Sequence, residues 1–222
     1  METVSVIIPM YNYGQYLDEA IQSVLDQTVK AHEIICVSDG AIDDSVEIAK
    51  KYSVIIVEKE NGGLSSARNA GIKVATGKYI MSFDSDDILR PQAIEKHLDL
   101  AGEDRIVTLP LLAFGSENYT ARPKVATIPI LLKTNVIYSN SLFSKKMWEK
   151  VGGFDESMKL GLEDWLFWTE CAINGAKFVT GDYIGLLWRR HPQTMSDTMA
   201  NPNWVKITSY MKEKIKNKYN IE

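Results

Sequence analysis

Cysteine is almost missing from this 222-residue chain: Cys36 and Cys171 are the whole complement, and both sit in apolar patterns. Two such residues exclude a disulfide framework and read as small buried side chains. Long apolar runs are also missing. No stretch approaches the roughly 18 apolar residues of a membrane-spanning helix, and the amino terminus lacks a basic segment followed by an apolar one. A soluble, cytoplasmic chain is the expectation. Positive charge is not in excess either. Lys and Arg number 25 against 29 Asp and Glu, a net charge of −4, which argues against nucleic acid as a partner. Internal repeats and low-complexity stretches are absent. What remains, 45% hydrophobic and 24% charged residues, is ordinary globular composition in a chain long enough for one large domain or two closely packed halves.

The first hundred residues alternate strand-like and helix-like patterns. Val4-Ser5-Val6-Ile7-Ile8 is a continuous apolar run ended by Pro9, as expected of a strand buried on both faces. Ile34 to Val37, Val54 to Val57 and Tyr79 to Phe83 read as further strands. Between them lie helical patterns: Leu17 to Leu25, Asp43 to Tyr52, and Ser65 to Thr76 with Leu64, Ala67, Ala70, Gly71 and Val74 facing inward. Pro91 to Leu100 follows with proline in its first turn. This alternation implies a largely parallel sheet covered on both faces, with ligands outside the carboxyl ends of its strands. Pro9, Asp39 and Asp84 fall at such ends. Beyond Leu100 the rhythm breaks. Arg105 to Leu112 and Val136 to Phe143 are short β-like runs interrupted by Pro110, Pro123 and Pro129. Helices are expected over about 145–150 and 163–173, strand over 178–188, and a closing helix from Trp204 to Ile221.

The richest segment is Phe83-Asp84-Ser85-Asp86-Asp87. In extended backbone Asp84 and Asp86 point to the same face, and two converging carboxylates repel unless a cation lies between them. A hard divalent ion that shares its remaining positions with substrate phosphates suits such a pair; a solvated turn is the plainer reading. Arg68 lies one turn into a helix introduced by Gly62-Gly63 and Ser65-Ser66, a place that favours anions. Its alternatives are a hold on a diphosphate and a salt bridge to the nearby aspartates. Glu163-Asp164 opens a helix, where an acid pair is often only dipole compensation.

Six segments in this order and spacing resemble the family 2 glycosyltransferases, nucleotide-sugar-dependent enzymes of the GT-A fold: Val6-Ile7-Ile8-Pro9-Met10-Tyr11-Asn12, Val37-Ser38-Asp39-Gly40, Asn61 to Gly71, Phe83 to Asp87, Val151 to Glu156 and Gly161-Leu162-Glu163-Asp164. The resemblance runs from Val4 to about His191. It implies an α/β GT-A fold in one domain, with a nucleotide-sugar-binding half (1–103), an acceptor-binding half (104–200) and a carboxyl-terminal helix (201–222). It further implies an inverting transfer of a sugar, from a UDP-sugar in the first instance, to a hydroxyl of a glycan or lipid-linked saccharide.

By the same resemblance Asp39 reads the base, Pro9 and Tyr11 form the wall against which it stacks, and Arg68, Asp84 and Ser85 complete the nucleotide site. For Pro9 and Tyr11 a strand terminator and a core tyrosine are the plainer alternatives; for Asp39 it is a turn with Gly40. Asp86, with Asp84 and His191, would hold Mn²⁺ or Mg²⁺, and Asp87 would cap the following turn. Asp164 would be the general base, kept ionised by its helix amino terminus, and Glu163 would position the acceptor; the reverse assignment is the alternative. Arg189 and Arg190 would reach the diphosphate, while His32 and His97 are expected at the surface. The stretch Ser38-Asp39-Gly40-Ala41-Ile42-Asp43 departs from the usual acidic pair followed by Gly-Ser-Thr-Asp, and Trp188 stands where tyrosine is commoner.

Other classes fit less well. A dehydrogenase would carry Gly-x-Gly-x-x-Gly after its first strand, where this chain has Pro9-Met10-Tyr11-Asn12. A sugar nucleotidyltransferase would carry a glycine-rich, arginine-containing loop there, also missing. A binding module that kept the fold and lost the chemistry is opposed by the intact acids. In the tail, Trp204, Ile207, Met211 and Ile215 share a face ringed by Lys206, Lys212, Lys214, Lys216 and Lys218. Packing on the domain is the favoured reading, and contact with anionic lipid the sharper alternative.

Overall fold

The computed structural model describes residues 2–192 and 194–221. Its elements run β1 (Val4–Met10), α1 (Gly14–Leu25), β2 (Glu33–Asp39), α2 (Ser45–Ala49), β3 (Ile55–Lys59), α3 (Leu64–Val74), β4 (Tyr79–Ser82), β5 (Ile88–Leu89), α4 (Ala93–Leu98), β6 (Arg105–Thr108), β7 (Leu111–Gly115) and β8 (Tyr119–Ala121). Then follow α5 (Ile128–Leu131), β9 (Leu142–Ser144), α6 (Lys145–Val151), α7 (Glu163–Ile173), β10 (Lys177–Thr180), β11 (Leu186–Arg190), a π-helical turn (Ser196–Ala200) and α8 (Trp204–Tyr219). Seven strands form one sheet in the order β10-β6-β9-β4-β1-β2-β3, and four form a smaller one, β5-β11-β7-β8. The large sheet is parallel except for β9, which runs antiparallel to both β4 and β6. It is a mixed α/β architecture with a large, mostly parallel sheet, as the resemblance implies.

Two apolar layers sandwich the large sheet. On one face Ile7, Ile35, Ile80, Ile106 and Phe143 meet α3, α5, α6, α7 and α8; on the other Val6, Ile8, Cys36, Met81 and Leu142 meet α1, α2 and α4. Both cysteines are free and buried. Helix α3 lies very close to the sheet because Gly71 faces it. A Cβ there would come within 2.5 Å of Ile7 Cγ2 and 2.9 Å of Val37 Cγ2. That close approach carries Arg68, one turn earlier, beneath the rim of the sheet.

Several sequence expectations are corrected. Pro9 does not end β1 but lies buried within it, opposite Val37. The β4 register ends at Ile7↔Ser82, so the missing N–H of Pro9 removes no ladder bond on that side. The runs 105–112 and 178–188 each split at a bend into strands of different sheets, β6 then β7 and β10 then β11. Gly181 N–H donates to Thr108 O and Gly185 N–H to Pro110 O, so the two chains turn together. Val136 to Phe143 contributes strand only from Leu142. His97 is fully buried rather than at the surface. Its Nδ1 lies 2.8 Å from Ala93 O, and burial pushes its pKa down to about 4. Helix α4 is too short for its periodicity to mark an inward face, and Ala93, Ile94 and His97 form that face. Val74, expected to face inward, is 47% exposed at the end of α3.

The closing helix packs as the plainer reading expected. Ile207, Met211 and Ile215 are buried, and Trp204 stacks on Trp165 at 5.4 Å between ring centroids. Two of its lysines are committed to the domain, Lys214 to Asp155 and Lys218 to Glu170. Among the described residues no helix is long and apolar enough to cross a membrane.

Candidate active site

The strand order reverses direction of growth between β1 and β4, and in an open α/β sheet ligands bind at such a point, outside the carboxyl ends of the strands. Tyr11 and Asn12 leave β1 at this rim, Asp39 ends β2, and Asp84 to Asp87 follow β4. Tyr11 is 49% exposed, so the alternative of a core tyrosine is excluded. Asn12 adopts φ 58° and its Oδ1 accepts the Ile42 N–H, which ties the β1 and β2 loops together.

Asp39 is buried and heavily used. Its Oδ1 accepts from Lys59 Nζ (2.6 Å) and the Gly62 N–H (2.9 Å), its Oδ2 accepts the Gly63 N–H (2.7 Å), and its backbone carbonyl accepts from Asn61 Nδ2. The carboxylate thus shapes the Asn61–Gly63 loop, a partner set that the plain Asp-Gly turn did not anticipate. One lone pair on Oδ2 is left for a ligand by this count.

Arg68 is 1% exposed. Its Nη2 donates to Asp84 Oδ1 at 2.9 Å, its Nη1 donates to Glu163 Oε1, and the guanidinium lies 5.5 Å from the Phe154 ring centre. Burial works against its charge, but Asp84, Glu163 and Asp164 outweigh it and raise its pKa. Of the two readings weighed for Arg68, the structure displays the salt bridge. On the far side of Asp84, Ser139 Oγ donates to Oδ2 at 3.1 Å.

Asp86 faces a different neighbour. His191 Nε2 lies 3.1 Å from its Oδ2, and the imidazole packs against Tyr16 (5.5 Å, nearly parallel) and Tyr13 (5.6 Å). Burial and repulsion from Asp84 raise the Asp86 carboxyl pKa, with the His191 bond opposing them. Ser85 is buried between the two acids. Asp87 caps no turn: its Oδ1 accepts the Arg189 N–H of β11 at 2.9 Å, and burial beside Asp86 and Asp84 raises its pKa well above the usual range. Arg189 and Arg190, expected to reach a diphosphate, are engaged with protein groups in this structure. Arg189 donates to Asp86 O and pairs with Glu19, while Arg190 pairs with Glu117 and Asp197.

The proposed metal set is not preassembled. Among the described residues no group of three or more His, Cys, Asp or Glu side chains lies close enough to share an ion, because Asp84 is turned toward Arg68 and Ser139. The donor chemistry still fits a small hard cation, which typically takes one or two carboxylates and completes its shell with phosphate oxygens and water. The elevated Asp86 pKa fits too, since positive charge there would relieve its repulsion from Asp84.

Glu163 and Asp164 are brought to this rim by an unusual turn. Gly161 has φ 102° and Leu162 φ 62°, and the left-handed leucine, a strained conformation outside glycine, starts α7. Glu163 is 4% exposed and held by Arg68. Asp164 is partly accessible; its Oδ1 accepts the Trp165 N–H (2.7 Å) and its Oδ2 accepts from Asn135 Nδ2 (3.1 Å). The expectation that the helix terminus keeps Asp164 ionised is corrected. Burial and the neighbouring Glu163 raise its pKa to about 7, against the pull of Arg68, the Trp165 N–H and Asn135.

Sequence reasoning missed Asn135 and Ser139, which lie in an irregular segment without a motif. It also assigned nothing to Asn69, whose amide bonds Phe154 N–H and O, Glu156 and the Trp148 indole. In Val151 to Glu156 the acids are structural: against the cost of burial, Lys214, Tyr210 and Ser157 hold Asp155 down at about 2. A separate apolar groove between α5, α7 and α8, floored by Trp165, Trp204 and Met211, contains none of the site acids.

Comparison with known proteins matches residues 5–166 to the model of glycosyl transferase family 2. An uncharacterized glycosyltransferase of Rickettsia prowazekii (RP339) is 36% identical over 174 residues, covering 70% of this chain and 54% of that protein. The minor teichoic acid biosynthesis protein GgaB of Bacillus subtilis is 35% identical over 176 residues, 71% of this chain and 20% of that protein. The chain spans between about a seventh and about half the length of the curated relatives it matches. Among solved structures, S. aureus TarS 1-349 in complex with UDP-GlcNAc superposes with a TM-score of 0.80 at 20% identity, covering 97% of this chain and 67% of that one. The mannosyltransferase PcManGT of Pyrobaculum calidifontis, in complex with GDP-Man and Mn²⁺, gives 0.69 at 18% identity, over 87% and 59%.

Proposed function

This chain belongs to glycosyl transferase family 2, and on that premise we propose that it transfers a sugar from a nucleoside-diphosphate donor, a UDP-sugar first, to a saccharide hydroxyl with inversion. The observation that carries the reading is the single network Asp84–Arg68–Glu163, which joins the acids after β4 to the acid pair opening α7. It sets the carboxylates of the donor side and those of the acceptor side around one buried cation.

Asp164 takes the proton of the acceptor hydroxyl. A carboxylate with a pKa near 7 is matched to that task at neutral pH. The acceptor oxygen attacks the anomeric carbon opposite the departing diphosphate, the sugar–phosphate bond breaks, and its electron pair leaves with the nucleotide. Glu163, fixed by Arg68, positions the acceptor. Tyr11 offers an exposed ring for the base to stack on, with Pro9 behind it. Asp39 holds the Asn61–Gly63 loop and contributes its remaining lone pair to base or ribose; Ser85 and Asp84 border the phosphates. Asp86 and His191, joined by Asp84, would hold Mn²⁺ or Mg²⁺. When bound, that ion neutralises the charge developing on the diphosphate.

TarS with UDP-GlcNAc and PcManGT with GDP-Man support a nucleotide-sugar donor, and GgaB, a minor teichoic acid biosynthesis protein, supports a role in building a saccharide-containing polymer. Cosedimentation with anionic vesicles at low and high salt tests a peripheral membrane contact by the lysines of α8. The deciding experiment is a screen of nucleotide sugars for thermal stabilisation with and without Mn²⁺, followed by nucleotide release. A ligand at 100 times its dissociation constant adds about 2.7 kcal/mol. Stabilisation without release in the presence of saccharide acceptors would indicate a binding module, and no stabilisation by any nucleotide sugar would defeat the reading.

A further inference from the structure

The segment entering β9 touches both ends of the site. Because β9 runs antiparallel to β4 with Met81 opposite Leu142, the chain approaching it must pass the carboxyl end of β4, and Ser139 there donates to Asp84 Oδ2. Four residues earlier Asn135 donates to Asp164 Oδ2. A second hydrogen bond orients the Asn135 amide for this. Its Oδ1 accepts the Ile137 N–H (3.2 Å), which fixes the NH₂ outward, and Ile137 itself is 2% exposed in the core. The circuit closes on the other side: Asp84 to Arg68, Arg68 to Glu163, and the backbone from Glu163 to Asp164.

We propose that Asn135 is a positioning residue for the base Asp164, carried with Ser139 on a segment that sets the distance between the donor-side and acceptor-side carboxylates. Resting on the reading of Asp164 as base, it names the group that orients it. In general-base sites the base is itself held by a third group. Here an oriented amide presents an N–H to one carboxylate oxygen, and the Trp165 N–H occupies the other. The remaining charged groups facing Asp164 are Glu163 on its own helix and Arg68 from α3.

Asn135→Asp separates this role from a merely structural one. The new carboxylate still accepts the Ile137 N–H and keeps the turn, but it has no N–H to donate and places negative charge against Asp164. Titration of the ¹³C-labelled aspartate carboxyls, with Asp164→Asn identifying the signal, should show the Asp164 pKa rising by about one unit or more in Asn135→Asp. Asn135→Ala should raise it by less. Nucleotide release from UDP-GlcNAc, wherever the parent supports it, should fall at least tenfold in kcat with KM for the donor within about twofold, since only the base is disturbed. Asn135→Asp should melt below the parent at pH 8, because a further raised Asp164 pKa lowers the stability of the ionised state, and the two melting temperatures should converge near pH 4. An unmoved Asp164 titration in a folded Asn135→Asp protein overturns the proposal. Loss of release in Asn135→Asp with none in Asp164→Asn would instead remove Asp164 as base.

Discussion

Asp164→Asn should make the protein more stable at alkaline pH while removing its activity. In the folded protein the Asp164 carboxyl is held near 7 instead of its ordinary 3.8. A folded-state pKa above the unfolded one means that the folded state binds the proton more tightly. The associated stability is present at low pH and lost as pH rises through 7. By pH 8 the ionised carboxylate costs up to about 4 kcal/mol. Partial accessibility of the group reduces that figure. The substitution removes the charge and, with the amide oxygen toward Asn135, keeps that hydrogen bond; the Trp165 N–H is less well satisfied, at about 1 kcal/mol. A net gain of roughly 1–2 kcal/mol at pH 8 is expected, shrinking below pH 7 and gone near pH 4. Urea unfolding of both proteins at pH 8, 6 and 4 measures it. Equal or lower stability of the variant at pH 8, or a gain indifferent to pH, would refute the argument that burial and Glu163 destabilise the ionised form. In transfer assays the same variant should bind donor normally and lose roughly 10²- to 10⁴-fold in turnover.

Arg68→Met should destabilise by about 3 kcal/mol or more, because it strands the buried Glu163 carboxylate; urea unfolding at pH 8 checks this, with a loss under about 1 kcal/mol contradicting it. UDP affinity measured by calorimetry should be higher with Mn²⁺ than with EDTA, and Asp86→Asn should abolish the difference without lowering the melting temperature. Equal affinities in the parent would remove the metal role. Gly71→Ala should cost about 1–3 kcal/mol by forcing α3 off Ile7 and Val37, and a neutral effect would mean that the helix moves away freely.

By itself the sequence determined the strands of the nucleotide half and the rim they share. Continuous apolar runs such as Val4 to Ile8 and Ile34 to Val37 demand burial on both faces, and their polar ends then collect Asp39 and Asp84 on one edge. These are local patterns, readable wherever a strand is long and its neighbours in sequence are also its neighbours in space. The tertiary structure alone decided the partners. Arg68 meets Glu163 from 95 residues away and Asp87 meets the Arg189 N–H from 102 away, so no window of sequence reveals that Arg68 is buried or that Asp87 caps nothing. Insertion of β9 between β4 and β6 brought Ser139 to Asp84 and Asn135 to Asp164 out of a segment with no motif. Protonation belongs to the same level. Asp164 begins a helix, which favours its charge, yet its pKa is raised because burial and a neighbouring carboxylate outweigh the dipole, and both arise only when the chain has folded.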